Sequence, residues 1–171
     1  MNIFVLSYDP RKAAKAHCDK HVVKMCLETA QILSTINRSL GDNSETLYKV
    51  THQSHPCVKW VLEDSKNYFW LMQLFHCLLL EYQHRYNKEH ACMKIYKFLC
   101  SVENTKFIKS KLPSNKTHSV HEFRSNDFIA VTDNEETLVS KSYKQYYINK
   151  SKVMNMTWTK RSKPEFMEVV A

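Results

Sequence analysis

Residues 66–87 read KNYFWLMQLFHCLLLEYQHRYN, and apolar side chains fall on nearly every face of a helix over that stretch. A helix that is hydrophobic all round must be surrounded by other elements. The segment is therefore predicted to be the centre of the fold, with Ser65 placed to cap it. Two charged residues near its end break the pattern. Glu81 and Arg85 stand one turn apart, near the side of Asn67 and Trp70, and are either a buried structural pair or the floor of a pocket.

Upstream, Pro56 is predicted to open a shorter helix, PCVKWVLED. Before it, Asp9 and Pro10 read as an N-cap and first helical residue, and Gly41 as the stop of one long helix between them. Val22, Val23, Cys26, Ala30, Leu33, Ile36 and Leu40 share one face of that helix at helical spacing. Residues 42–55 are a polar connection, and NIFVL at residues 2–6 is either a short buried strand or an extended arm. Downstream, EHACMKIYKFLC predicts a fourth helix and residues 101–120 an irregular stretch. ETLVSKSYKQYYINKSKVM predicts a fifth helix, capped by Asp133 with Glu136 three residues on. The expected fold is all-α: one domain over residues 1–171, a bundle of about five helices around the central one, with a short extended N-terminal segment.

Composition removes several function classes. The chain has 171 residues, which suits one core, and a single glycine, whereas phosphate loops and dinucleotide turns need several. No apolar run is long enough to span a bilayer, and the N-terminus lacks the basic flank and cleavage site of a secretory signal, so an intracellular location is expected. The six cysteines lie eight or more residues apart with no C-x-x-C pair, and are read as buried thiols. No cofactor is expected.

Charge is uneven. Residues 1–87 carry ten Lys or Arg against eight Asp or Glu, and residues 88–171 carry fifteen against nine. From Lys141 to Lys163 there are seven basic residues and no acidic one, interleaved with Tyr143, Tyr146, Tyr147 and Trp158. Lysines neutralise phosphates while aromatics pack on sugars and bases, so the expected partner is nucleic acid, DNA foremost, contacted by Tyr146, Lys160 and Arg161.

Residues 17–28 read HCDKHVVKMCLE. On an unbroken helix His17, His21, Lys24, Glu28, Gln31 and Thr35 form a stripe opposite the apolar one. They are either a solvated face or catalytic groups, and in both cases alanine at His17, His21 or Lys24 should cost well under about 1 kcal/mol of stability. Asp19 instead points into the apolar stripe, where a carboxylate needs a fixed partner. The candidates are Arg85 or a histidine of THQSHPC, residues 51–57. In that motif His52 and His55 precede a helix start that collects anions, although His55 could simply cap it. His17 and His21 have metal-ligand spacing, but no H-E-x-x-H motif accompanies them, and no metal ligand is assigned.

The blocks MNIFVLSYDP, HCDKHVVKM, THQSHPCVKW, NYFWL, EYQHRYNKEH, YYINK and WTKRSKPEF resemble a family of small phage and large-DNA-virus proteins. In helical layout, and in an early histidine-bearing helix, the chain is also similar to pyrimidine-dimer DNA glycosylases of the endonuclease V type. That resemblance implies an all-α protein that binds damaged duplex DNA, attacks C1′ of the sugar with an amine, and stabilises the reaction with a nearby glutamate. The chain departs from the pattern in two places. Those enzymes use the amine of a threonine exposed by methionine removal, which Asn2 is too large to favour. Lys24 stands where the glutamate is expected, with Glu28 one turn later, so Met1 or a lysine would supply the amine. The expected function is base excision by a viral DNA-processing enzyme, with Asp19, His21, Lys24, Glu28 and His17 as catalytic candidates and His52, His55 and Arg85 beside them. The alternatives are a histidine-based metal-dependent hydrolase and a non-catalytic protein that binds DNA or a host partner.

Overall fold

The computed structural model describes residues 1–114 and 138–168, of residue 138 the backbone alone. The regular elements among the described residues are all helices, with no strand: α1 Pro10–Ala16, α2 Asp19–Ser39, α3 Pro56–Glu63, α4 Ser65–Tyr86, α5 Met93–Leu99, α6 Val102–Lys111 and α7 Leu138–Ser151, followed by a 3₁₀ turn at Glu165–Met167. The central helix is α4, which packs against α1, α2, α3 and α5. Its Tyr68 is 1% exposed, and the phenol oxygen accepts hydrogen bonds from Asn37 of α2 at 2.8 Å and Asn104 of α6 at 3.2 Å. One buried tyrosine thus fixes the mutual rotation of three helices. No described helix is long and apolar enough to cross a membrane.

Helix ends follow local chemistry. Asp9 accepts from the amides of Arg11 and Lys12, and Pro10 opens α1. The stop after α2 is Gly41 at φ +105°, a conformation that costs a residue without a Cβ little. Asp64, not Ser65, caps α4 by accepting from the Lys66 amide at 2.7 Å, and Asn87 closes that helix at φ 54°. Residues 102–111, expected to be irregular, form α6 because Ser101 accepts from the Asn104 amide. Only Asn104 and Ile108 of that helix are buried, too few to produce a readable period. The fourth helix is shorter than expected, since residues 89–92 form a turn in which His90 accepts from the Cys92 amide. The expected cap at Asp133 and Glu136 lies outside the described residues.

The largest departure is at His17 and Cys18. Both are extended, at ψ 137° and 163°, and divide the expected long helix into α1 and α2. No proline or glycine marks the break. What marks it is a tie from the far end of the chain: the Asp19 amide donates to the Thr157 carbonyl at 2.8 Å. The N-terminal segment is an extended arm, and its Ile3, Phe4, Val5 and Leu6 are at most 4% exposed. Each such side chain contributes roughly 1.5–3 kcal/mol by leaving water, which anchors Asn2 firmly at the arm's outer end. The cysteines are all free thiols, but Cys100 is exposed and Cys77 half-buried, against the expectation that all six are buried.

Candidate active site

Residues 17–28 contribute to two separate clusters. The first forms where the arm crosses α2. The Asn2 amide donates to Glu28 Oε2 at 2.9 Å, and Lys24 Nζ lies 3.4 Å from Glu28 Oε1. Glu28 is 13% exposed at its side chain and Lys24 60%, so the carboxylate is sheltered while the ammonium reaches solvent. The Asn2 side chain is fixed in turn, its Oδ1 accepting from the Ile3 amide at 2.8 Å, the Tyr143 hydroxyl at 3.3 Å and the Cys57 thiol at 3.6 Å. Burial pushes the Cys57 thiol up to about 12, against the pull of the N-terminal ammonium, with Glu28 pushing it up further. Through Asn2 the Glu28 carboxylate of α2 and the first turn of α3 therefore meet.

His17 and His21 are not on a solvated face: they are 0% and 3% exposed. Tyr147 of α7 covers His21 and bonds its Nδ1 through the phenol hydroxyl, and Phe4 lies against both rings. His17 Nδ1 donates to the Ala13 carbonyl at 2.6 Å. Burial holds both imidazoles neutral, lowering His17 to about 4 and His21 to about 3, with the charges of Lys150 and Lys24 adding to the effect on His21. Thr35, at the far end of the expected stripe, is also buried. The stripe fails because α7 and residues 44–51 cover a face that helical angle alone leaves open.

The second cluster centres on Asp19. Arg85 Nη1 donates to Asp19 Oδ1 at 2.9 Å, so of the expected partners Arg85 is the one that meets it. The Thr157 and Thr159 hydroxyls donate to Oδ2 at 2.8 Å each, and the Thr159 amide donates to both oxygens. Burial would raise this carboxyl, but the threonine and arginine bonds outweigh it and hold it below its usual range. Arg85 also donates to Glu81, whose two oxygens take Arg161 at 2.9 Å each. Glu81 and Arg85 are thus the buried structural pair of the two readings, extended by Arg161. The cluster clasps the C-terminal segment to α2 and α4.

The remaining expected site residues fall as follows. His55 accepts from the Cys57 amide and caps α3, and His52 is exposed at φ 49°, bonded to Thr51. THQSHPC therefore reaches the first cluster through Cys57. Tyr146 lies against Phe4 and accepts from Lys150 Nζ at 2.7 Å. Lys160 donates to the His84 carbonyl at 2.8 Å and to Asn87, capping the end of α4. Asn2, Cys57 and Tyr143 were not expected as site residues. Their signal was present in the blocks MNIFVLSYDP and THQSHPCVKW and in the tyrosines of α7, but nothing in the sequence joins three segments so far apart. Among the described residues no three His, Cys, Asp or Glu side chains gather as a metal-binding group.

The sequence model of one protein family, described as pyrimidine dimer DNA glycosylase, matches residues 1–94. That span holds Asn2, Lys24, Glu28 and Cys57, and stops before α7. No curated protein and no solved structure matches the chain.

Proposed function

The chain belongs to the pyrimidine dimer DNA glycosylase family, and from that premise we propose that it excises a damaged base by attack of an amine on C1′ of the deoxyribose, with Glu28 as the carboxylate that serves the reaction. The observation that carries this reading is the meeting of Glu28 with the Asn2 amide and Lys24 Nζ. The amine is that of Lys24 or the α-amine of Met1, and either must act unprotonated. Glu28 takes the proton that the attacking nitrogen sheds. It also stabilises the positive charge that grows on the sugar as the C1′–N bond breaks and the base departs with the bonding pair and a proton.

Ring opening then leaves an imine between C1′ and the protein. Loss of a C2′ proton from that imine expels the 3′ phosphate, which gives the lyase step. The family relation and the block similarity to phage and large-DNA-virus proteins together support a viral repair role on DNA inside the infected cell. Asp19, expected among the catalytic groups, is in this proposal a fastening residue, since Arg85, Thr157 and Thr159 already occupy its oxygens. His17 and His21 support the arm as neutral packed rings.

Borohydride reduction during incubation with abasic and dimer-containing duplexes tests the scheme. Reduction of the imine should link protein to DNA, and peptide mapping should place the link on Lys24 or Met1. Absence of an adduct with every duplex contradicts the mechanism.

A further inference from the structure

A groove of about 420 Å³ runs between α1 and α4, and shares no residue with the Glu28 cluster. Its construction follows from helical spacing. Arg11 and Lys15 are one turn apart on α1, and His76, Leu80 and His84 stand at successive turns of α4, so the two helices present facing rows. Arg161 enters from the C-terminal segment. The result is a strip of Ala14, Cys77 and Leu80 with Arg11 and Lys15 along its α1 side and His76 and His84 along its α4 side.

Two features distinguish this groove from an ordinary wet surface. Leu80 is 48% exposed, an uncovered large apolar side chain set among positive charges. The single carboxylate in the lining, Glu81, is already spent, since its oxygens are bonded to Arg85 and Arg161. Among the described residues no ion pair engages Arg11 or Lys15, and nearby Asp9 uses its carboxylate to cap α1. The α1 wall of the groove therefore presents the side chains of Arg11 and Lys15, neither held in an ion pair among the described residues, beside an apolar strip. A DNA strand has the complementary pattern, with the low-polarity faces of its deoxyriboses alternating with phosphates.

We propose that the groove between α1 and α4 binds the sugar–phosphate backbone of DNA, with Arg11 and Lys15 on phosphates and Leu80 against sugar. This rests on the reading that DNA is the substrate, and adds a contact away from the reacting base. The Asp19 and Glu81 clasp holds Arg161 in place, so the C-terminal segment completes a site whose other wall lies within the family match.

The test uses the full chain and an undamaged 20-base-pair duplex, so that it is independent of any excision. In Arg11→Gln/Lys15→Gln, loss of two phosphate contacts should reduce the magnitude of the slope of log affinity against log salt by about 1.8. Leu80→Glu, on the other helix, should weaken binding at least roughly tenfold at low salt while leaving melting unchanged. Inorganic phosphate at 10 mM, compared with chloride at equal ionic strength, should not release the duplex from wild type. An unchanged slope in the double variant, unchanged affinity in Leu80→Glu, release by phosphate alone, or no binding of undamaged duplex by wild type would each overturn the groove assignment. Borohydride trapping is read separately: trapping with an unchanged slope rejects the groove alone, and a reduced slope without trapping rejects the excision scheme alone.

Discussion

The amide of Asn2 and the carboxylate of Glu28, 26 residues apart in the chain, meet at 2.9 Å, and this one bond brings the start of the polypeptide to the acid on α2. Everything that holds Asn2 therefore also orients the groups around Glu28. The buried arm behind it, the Cys57 thiol from α3 and the Tyr143 hydroxyl from α7 all do so.

Tyr143→Phe removes only the hydroxyl that donates to Asn2 Oδ1. A hydrogen bond of this kind contributes about 1 kcal/mol to stability, so melting should shift by only a few degrees. If Tyr143 positions the arm, kcat for base release should fall several-fold with KM unchanged, and Asn2→Ala should add little to the double variant. A purely structural role predicts additive losses and no change in kcat.

Asp19→Asn should be costly for stability. It leaves the Arg85 guanidinium, 0% exposed at its side chain, with one of its two carboxylate partners gone and the other, Glu81, shared with Arg161. Breaking a buried pair on one side costs about 3–5 kcal/mol, enough for roughly a 10 °C fall in melting temperature at this chain length. Asp19→Asn melting like wild type while abolishing turnover would restore Asp19 to the chemistry.

His17 and His21 set the acid limit of the fold. Their folded pKa values, about 4 and about 3, lie below the ordinary 6.5. Below pH 6.5 the unfolded chain gains protons that the folded chain refuses, so stability falls as pH drops and is highest above 6.5. Between pH 7 and pH 5 each histidine should remove about 2 kcal/mol. Asp19 and Glu81, both held below their usual range, add a further loss only at lower pH, as they protonate. Urea unfolding at the two pH values checks this, and His21→Phe should flatten the dependence by about half. Equal stability at pH 7 and pH 5 would contradict neutral burial.

What the sequence disclosed was local. The all-round apolar run of α4, the Asp9–Pro10 start and the Gly41 stop are each encoded within a few residues, and the structure has all three. Arg85 was foreseeable as the partner of Asp19 because both are charges placed on apolar faces. The break at His17 and Cys18 was hidden, since its cause is Thr157, 138 residues from Asp19. Burial of His21 was hidden for the same reason: Tyr147 lies 126 residues away. With both histidines packed, alanine at either should cost far more than the small loss expected for an exposed helix face, whereas Lys24 stays in solvent. Lys160 and Arg161 looked like free cations by composition, yet one caps α4 and the other is bound to Glu81.

The role of Glu28 is tested most directly by single-turnover base release from a duplex carrying one pyrimidine dimer, with wild type and Glu28→Gln compared at saturating protein. Glutamine keeps the size of the side chain and an acceptor for the Asn2 amide but cannot take a proton or carry the negative charge. The account predicts release by wild type and a rate at least about 100-fold lower for Glu28→Gln, with DNA affinity within a few-fold of wild type. Equal rates for the two proteins, or no release by wild type, would contradict it.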